Sequence, residues 1–297
     1  MILDSWAPST KKQYKPYIQK WEVYCRKNNA NSLSPTLFHG TQFLWELFHT
    51  GVGYSVCNTA RSALSSVLSP IDGVDFGDHP VVCRLLRGML KNRPSLPRYV
   101  VTFDANRVLN YLKRLPGWEE ITLKCLTFKF TTLLALLSGH RCQTLNVLSL
   151  DSMDISPDRV VFYIPSIIKN TSPSFHAAPI CLRSFSDESV CPVRNTIEYI
   201  KRTAWVRKCR TLIISFSNFS AISTQTVRRY VKATLDSAGV VIKTLGPPAS
   251  VSSHATRHAA SAKAKADGVP LKDILKSGGW KNDNTFRKHY DLPIIDM

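Results

Sequence analysis

The sequence predicts a mostly helical protein with two domains: an all-helical bundle and then an α+β domain with a small antiparallel sheet. Three observations support this fold class. Apolar residues repeat at helical spacing through most of the chain, short strand-like segments occur only in its second part, and a basic stretch with two prolines separates the parts. A chain of 297 residues is also long enough for two hydrophobic cores, because single domains usually contain about 100–200 residues.

The first region, residues 1–92, is predicted to form four helices joined by short loops. Ser9 is the predicted N-cap of the first helix, and Ser34-Pro35 opens the second with proline at its first position. The third helix is predicted from about Tyr54 to Leu68, and the fourth from about Pro80 to Leu90. Four helices with short connections indicate a small bundle.

The second region, residues 99–297, mixes helices with short strands. Strands are predicted near residues 151–155, 159–164, 175–181 and 211–215. Helices are predicted near residues 104–114, 121–137, 142–148, 192–204, 223–238, 252–266 and 270–276. The stretch from Asp158 to Ile180 is typical of a β-hairpin, with its tip at residues 169–173.

The charge balance indicates a polyanionic partner. Lysine and arginine number 39 against 21 acidic residues, a net charge of +18, and most of this excess lies beyond residue 92. A folded domain with such an excess repels itself unless an anion offsets it, and nucleic acid is the commonest partner for this pattern. A basic protein without a polyanionic partner is the alternative that charge alone leaves open.

A linker is predicted at residues 93–98, between the two domains. The two prolines and the basic side chains of this stretch suit an exposed, stiffened segment. A basic linker between two globular units is also suited to lie along a duplex, so Lys91, Arg93 and Arg98 are predicted to contact DNA.

Cysteine usage and hydropathy bear on the compartment. The eight cysteines show no CxxC pair and are predicted to be reduced packing residues, as in a cytosolic or nuclear protein. The sequence has no run of about 18 apolar residues, so no membrane-spanning helix is predicted. The N-terminus lacks the basic and then apolar pattern of a secretory signal, so we expect a protein that is not secreted.

Two segments far apart in the chain carry candidate residues for phosphate chemistry. His254 and Arg257 lie three residues apart at a predicted helix start, so they share one helical face near free backbone N–H groups that favour a phosphate. Upstream, an apolar helix ends at Ser138-Gly139, and Arg141 follows it. Near the C-terminus, Trp280 follows two glycines that suit a helix end, and Tyr290 ends a short final helix.

The order of these residues resembles the tyrosine recombinase (phage integrase) family. That family has an Arg after an apolar helix and Gly, a Lys on a β-hairpin, His-x-x-Arg, a His or Trp after Gly, and then Tyr. The matching residues here are Arg141, Lys169, His254, Arg257, Trp280 and Tyr290. The resemblance covers nearly the whole chain, because the family also carries an N-terminal helical core-binding domain. The segment from Trp280 to Tyr290 is most similar to recombinases of DIRS-like and Crypton-like eukaryotic mobile elements.

The resemblance implies site-specific cleavage and rejoining of DNA strands through a covalent 3′-phosphotyrosine on Tyr290. Arg141 and Arg257 can each hold non-bridging phosphate oxygens through a planar fork. Lys169, at the hairpin tip, is expected to protonate the leaving 5′ oxygen, with Lys201 as the alternative. No metal or other cofactor is expected, because the arginine pair supplies the positive charge.

The remaining two residues assist in this scheme. His254 can accept or share the tyrosine proton, or bond a phosphate oxygen. Trp280 stands where other members use His, and its indole N–H can only donate, so it is expected to bond a phosphate oxygen. His254 and His258 are spaced like half a zinc site, but no acidic residue follows His254 as a hydrolytic zinc motif requires. His258 is expected to pack or to orient Arg257.

Two departures and two alternatives remain. Thr144 stands where the family often has an acidic residue, which removes a partner for the Arg–His cluster, and the interval from Trp280 to Tyr290 is one residue longer than in many bacterial members. A type IB topoisomerase shares the Arg-Lys-Arg-His-Tyr chemistry but relaxes DNA without exchanging strands. A non-catalytic DNA-binding derivative is the other alternative.

The resemblance also implies partners and assembly. Duplex DNA is the expected partner, with affinity dominated by phosphate contacts and therefore weakened by salt. Exchange of two duplexes requires four cuts, which implies a homotetramer on DNA. Only seven residues follow Tyr290, so we expect a monomer without DNA. An origin in a eukaryotic element implies the nucleus.

Overall fold

The computed structural model describes residues 6–94, 99–164, 178–242, 251–280 and 283–295. The chain divides into two compact units, Met1–Leu96 and Pro97–Met297. The described part of the first unit is helical, and that of the second combines helices with a three-stranded antiparallel sheet. The predicted fold class is therefore confirmed.

The first unit contains four helices around one core. They are α1 (Pro8–Lys27), α2 (Leu37–His49), α3 (Tyr54–Ser65) and α4 (Pro80–Asn92). Aromatic packing holds α1 against α2, because the buried Trp21 ring meets the Phe43 ring edge-on with centroids 5.3 Å apart.

Two predicted helix starts are wrong. The first helix begins at Pro8 and not beyond Ser9, because proline lacks the N–H that a first helical residue leaves unpaired. The second begins at Leu37, two residues after the predicted proline. The Thr36 hydroxyl accepts a hydrogen bond from the His39 N–H, so Thr36 is the N-cap.

Arg93 takes part in the packing of the first unit. Its Nη1 donates to the carbonyl oxygens of Phe48, at 2.7 Å, and Val52, at 2.8 Å, and its guanidinium lies 4.0 Å from the Phe48 ring centroid. Lys91 is exposed on the last turn of α4, and Arg98 lies outside the described residues. The DNA contacts expected of these three residues stay predictions.

The second unit is built around α6, whose side chains are buried on nearly every face. Its helices are α5 (Ala105–Lys113), α6 (Leu123–Ser138), α7 (Cys142–Asn146), α8 (Pro192–Thr203), α9 (Thr224–Ser237), α10 (Ala255–Ala266), α11 (Leu271–Ser277) and α12 (Asp283–His289). The Phe130 ring of α6 stacks on the Tyr199 ring of α8 with centroids 4.5 Å apart. Gly139 ends α6 in the left-handed conformation, with φ of 61°, which turns the chain toward Arg141.

A three-stranded antiparallel sheet lies on one side of this unit, in the order β2 (Met153–Ile155), β3 (Arg159–Phe162) and β4 (Ile180–Arg183). Val160 on β3 pairs with Leu182 on β4, and both side chains are buried. The predicted hairpin tip, including Lys169, lies outside the described residues.

The predicted strand at residues 211–215 is wrong. Within the described residues, this segment makes only isolated bridges, at Thr211 and Ile214. Its backbone bonds to groups outside any ladder: the Leu212 N–H donates to the Leu148 carbonyl at 2.7 Å, and the Ile214 N–H donates to the Tyr199 hydroxyl at 3.2 Å. The apolar run is therefore a largely buried connection with bends at Leu212 and Ile213.

The chain after Tyr290 returns to the beginning of the second unit. β5 (Ile294–Ile295) pairs in parallel with β1 (Thr102–Phe103), and the Asp291 carboxylate lies 2.6 Å from the Lys265 ammonium of α10. Strands of two residues are too short to show an alternating pattern, so the sequence did not predict this pairing.

The cysteines are all free, but the prediction that all eight are packing residues is wrong. Cys25, Cys57, Cys142 and Cys191 are buried, whereas Cys125 and Cys181 are exposed. Cys181 faces outward because side chains alternate along β4, whose neighbouring residues Ile180 and Leu182 are buried.

Membrane spans and metal clusters are both absent from the described residues. None of the helices there is both long and apolar enough to cross a membrane. Nor does that part of the chain bring together three or more His, Cys, Asp or Glu side chains able to hold a metal ion.

Candidate active site

Two helix ends hold a buried arginine at the centre of the candidate site. Arg257 on α10 is 1% exposed, and its Nη1 donates to the carbonyl oxygens of Gly139, at 2.6 Å, and Gly278, at 2.7 Å. These carbonyls lie at the C-terminal ends of α6 and α11, where helix dipoles concentrate partial negative charge. Backbone carbonyls therefore fix the guanidinium in place.

The opposite edge of this guanidinium offers unused donors. Nε and Nη2 of Arg257 are buried and have no hydrogen-bond partner among the described residues. Together they form one planar edge, the geometry that binds two oxygens of a phosphate. The Trp280 ring covers the face of the guanidinium, with the ring centroid 3.5 Å from Cζ, and its Nε1 is also buried without a described partner. Three N–H donors thus lack an acceptor, which an anion with several oxygens would supply.

The electrostatics of the site favour such an anion. Burial and the charge of Arg141 together lower the pKa of Arg257 to about 9, the Tyr290 side chain opposes this shift, and the group stays charged at neutral pH. Among the ion pairs of the described residues, none joins an acidic side chain to either arginine. Thr144, which stands where the family often has a carboxylate, is 3% exposed. Within the described residues, backbone carbonyls and aromatic rings offset the positive charge of Arg257, and no carboxylate does.

Tyr290 follows α12 and lies beside these donors. Its ring centroid is 5.1 Å from the Trp280 ring and 5.1 Å from the Arg257 Cζ. Phe286, one turn earlier, is 1% exposed and meets the Trp280 ring edge-on at 5.3 Å. This packing attaches α12 to the arginine through the indole and brings Tyr290 to the site.

The site residues predicted from the sequence differ in what the structure says of them. Arg257, Trp280 and Tyr290 are in direct contact, and Arg141 lies close enough to affect the pKa of Arg257. His254 is exposed at the N-cap of α10 and lines a groove together with Tyr290. Lys169 lies outside the described residues, so its role stays a prediction.

Two further histidines lie in or beside the site. His258 was expected to pack or to orient Arg257, and its ring packs on Tyr290, stacked with centroids 4.6 Å apart. His140 was not singled out; it is 4% exposed, and burial together with Arg257 and Arg141 lowers its pKa to about 4. For His258, the sequence did indicate a place near the site, because it lies four residues after His254 and therefore on the same helical face.

Gly278 is required by the indole that covers the arginine. A Cβ atom there would lie 1.8 Å from Trp280 Cζ3. We expect Gly278→Ala to displace the ring and to destabilise the fold by about 1–3 kcal/mol, a typical cost of overpacking. Calorimetry should show a lower Tm. Gly88→Ala on α4 is the matched control, because a Cβ there meets nothing within 4 Å and should leave Tm equal or higher. An unchanged Tm for Gly278→Ala would contradict the prediction.

Comparison with known proteins shows the family of this chain. Residues 99–292 match the Phage integrase family, and because this match covers more than half of the chain, the protein belongs to that family of tyrosine recombinases. No curated protein matches the chain.

Solved structures of recombinases share the fold. XerH site-specific recombinase, bound to a palindromic difH substrate in a post-cleavage complex, has a TM-score of 0.61 and 14% identity over 93% of this chain and 74% of its own. A lambda integrase dimer bound to a COC′ core site has a TM-score of 0.56 and 16% identity over 98% and 74%. The Tn1549 transposon integrase in complex with transposon right end DNA has a TM-score of 0.56 and 14% identity over 86% and 80%.

Proposed function

We propose that this protein cleaves DNA strands and rejoins them through a covalent 3′-phosphotyrosine at Tyr290. The observation that carries the proposal is the free Nε and Nη2 edge of buried Arg257, whose Cζ lies 3.5 Å from the Trp280 ring centroid and 5.1 Å from the Tyr290 ring centroid. Such an edge fits the phosphate of a DNA strand, and the phenol is the adjacent nucleophile.

Cleavage transfers the DNA 3′-phosphate from the 5′ oxygen to Tyr290, and rejoining transfers it back. The Tyr290 oxygen bonds to phosphorus, the bond from phosphorus to the 5′ oxygen breaks, and Lys169 gives that oxygen a proton. His254 accepts or shares the tyrosine proton. Arg141 and Arg257 neutralise the charge that develops on the non-bridging oxygens. Rejoining is the reverse reaction, with a 5′ hydroxyl as the attacking group.

Duplex DNA is the proposed substrate. The net charge of +18 matches a polyanion, and the XerH, lambda and Tn1549 structures that share the fold are complexes with DNA. We further propose that residues 1–92 act as a core-binding domain and that residues 93–98 lie along the duplex.

The biological setting is also a proposal. Similarity of the segment from Trp280 to Tyr290 to DIRS-like and Crypton-like recombinases supports an integrase of a eukaryotic mobile element that acts in the nucleus. A homotetramer is proposed on DNA, because two duplexes exchange four strands, and a monomer without it.

Trapping of the covalent intermediate tests the function. The substrate is a duplex of the element's own ends that carries a nick just beyond the cleavage position, so that the short 5′-hydroxyl fragment diffuses away after cleavage. A protein–DNA adduct that survives a denaturing gel is the expected result. Tight binding without any adduct would instead favour a non-catalytic derivative, and relaxation of supercoiled DNA that lacks paired sites would favour a topoisomerase.

Lys169 is expected to act on the leaving group only. Lys169→Ala should slow cleavage of normal DNA by about 10²–10⁴-fold, the usual contribution of a general acid. A substrate with sulfur at the 5′-bridging position should restore the rate, because a thiolate leaves without a proton. The rates are measured by quenched single-turnover cleavage. Arg257→Ala is the control that sulfur should not rescue, and equal rescue of both variants would remove the general-acid role.

A further inference from the structure

The ring of His258 lies against the ring of the proposed nucleophile. Their centroids are 4.6 Å apart and their planes differ by 21°, which is a stacked arrangement. Tyr99 meets the His258 ring edge-on, with centroids 5.7 Å apart and planes at 74°. The Tyr99 hydroxyl accepts a hydrogen bond from the Ser252 N–H at 3.1 Å, two residues before the His254 N-cap. The imidazole thus contacts two aromatic rings.

His258 also shares a groove with the residue that leads into the nucleophile. His258, His289 and Tyr290 all line this groove, and His289 comes immediately before Tyr290. Burial, reinforced by His254 and Arg257, lowers the pKa of His258 to about 4, so the ring is neutral at pH 7. A neutral imidazole stacks on a phenol without adding a third cation beside the two arginines.

The stack makes His258 unsuited to remove the tyrosine proton. The lone pair of an imidazole nitrogen lies in the plane of its own ring, and here that plane is nearly parallel to the Tyr290 ring. Nδ1 is buried and has no partner among the described residues. The contact between the two residues is therefore face to face, and its effect is on where the Tyr290 ring lies.

We infer that His258 is a positioning residue, which holds the Tyr290 ring at its attack position beside the Arg257 edge. The inference rests on the proposed function of Tyr290. Arg257 and His258 are consecutive residues of α10, so one helical turn binds the phosphate with the first and orients the nucleophile with the second. A shift of α10 would move both together, which keeps the distance between phosphorus and phenol constant.

The test compares two reactions of the same site, only one of which uses Tyr290. The first is adduct formation on the nicked duplex. The second uses a DNA strand that ends in a 3′-phosphate esterified to p-nitrophenol. A 5′ hydroxyl of a second strand bonds to phosphorus, the bond to the aryl oxygen breaks, p-nitrophenolate leaves and the hydroxyl proton passes to buffer. This second transfer needs the duplex and the arginines that bind the phosphate, but it does not use Tyr290.

We expect His258→Ala to slow adduct formation by about 10–100-fold, because a misplacement of about 1 Å can cost 10²-fold. The tyrosine-independent transfer should stay within about twofold of the unmodified protein, because the Arg257 edge is unchanged. Equal loss in both reactions would overturn the inference, since it would mean that the substitution damages the arginine. No loss in adduct formation would overturn it as well.

Conservative variants separate the stacking face from simple volume. His258→Phe keeps a flat ring against Tyr290 and should recover most of the adduct rate, whereas His258→Leu fills similar space without a planar face and should not. Rates that are equal for the Phe and Leu variants would contradict stacking. Failure of the unmodified protein to form any adduct would reject the proposed function itself, and the inference with it.

Discussion

Tyr290→Phe is expected to abolish covalent adduct formation while DNA affinity stays nearly unchanged. The substitution removes only the nucleophilic oxygen, and phenylalanine keeps the ring that packs against His258 and Trp280. The Arg257 edge and the basic surface, which are expected to bind the phosphates, are not altered. Adduct is measured on a denaturing gel after incubation with the nicked duplex, and affinity by fluorescence anisotropy at fixed salt.

The matched control is Tyr163→Phe. That tyrosine is exposed just after β3, where its hydroxyl donates to the Asp154 carboxylate at 2.9 Å, so its loss should leave the adduct yield unchanged. An adduct formed by Tyr290→Phe would assign the nucleophile to another residue. A large loss of DNA affinity in that variant would mean that the hydroxyl contributes to binding.

Arg257→Ala is expected to lower the cleavage rate by at least about 10²–10³-fold, the effect of removing a preorganised donor at a site where charge develops. The variant loses both N–H groups of the free edge and leaves the Trp280 ring without the cation that it covers. Single-turnover cleavage of the nicked duplex gives the rate. Arg210→Ala, at an exposed arginine paired with Asp151, is the control and should leave the rate unchanged.

Folding must be separated from chemistry in this experiment, because Arg257 also joins two helix ends. Loss of its bonds to Gly139 and Gly278 leaves two carbonyls without that partner, so Arg257→Ala should also lower Tm. Arg257→Lys can still donate to those carbonyls but cannot present two parallel N–H groups to a phosphate. A folded Lys variant with a wild-type rate would show that the planar edge is dispensable.

Thr144 stands where the family often has an acidic residue, and two backbone carbonyls hold Arg257 without one. A carboxylate near an arginine would hold it by charge, whereas here the ends of α6 and α11 hold it by two backbone acceptors. Because no carboxylate of the described residues pairs with Arg257, its unused edge remains available to an anion. With Thr144 at this position, the Nε and Nη2 donors of Arg257 have no carboxylate partner among the described residues.

The sequence by itself determined the fold class and the main helices of the second unit. The predicted helices at 192–204 and 223–238 agree with the structure to within a residue or so at each end, because the apolar spacing and the Ser223 cap are local features. The order of arginine, histidine, tryptophan and tyrosine also depends on the sequence alone, and it was sufficient to name the candidate residues. Their types follow from phosphate chemistry, which requires forked cations and a nucleophile.

Only the tertiary structure decided which atoms meet. Arg257 and Gly139 are 118 residues apart, so no local pattern predicts that one nitrogen is used by carbonyls while the other two stay free. The contact of His258 with Tyr290 and the pairing of β5 with β1 are likewise non-local. The segment 211–215 is apolar enough to predict a strand, but in the structure it makes only isolated bridges. Side-chain type and helical periodicity are encoded within a few residues, whereas hydrogen-bond partners and ring contacts depend on how distant segments pack.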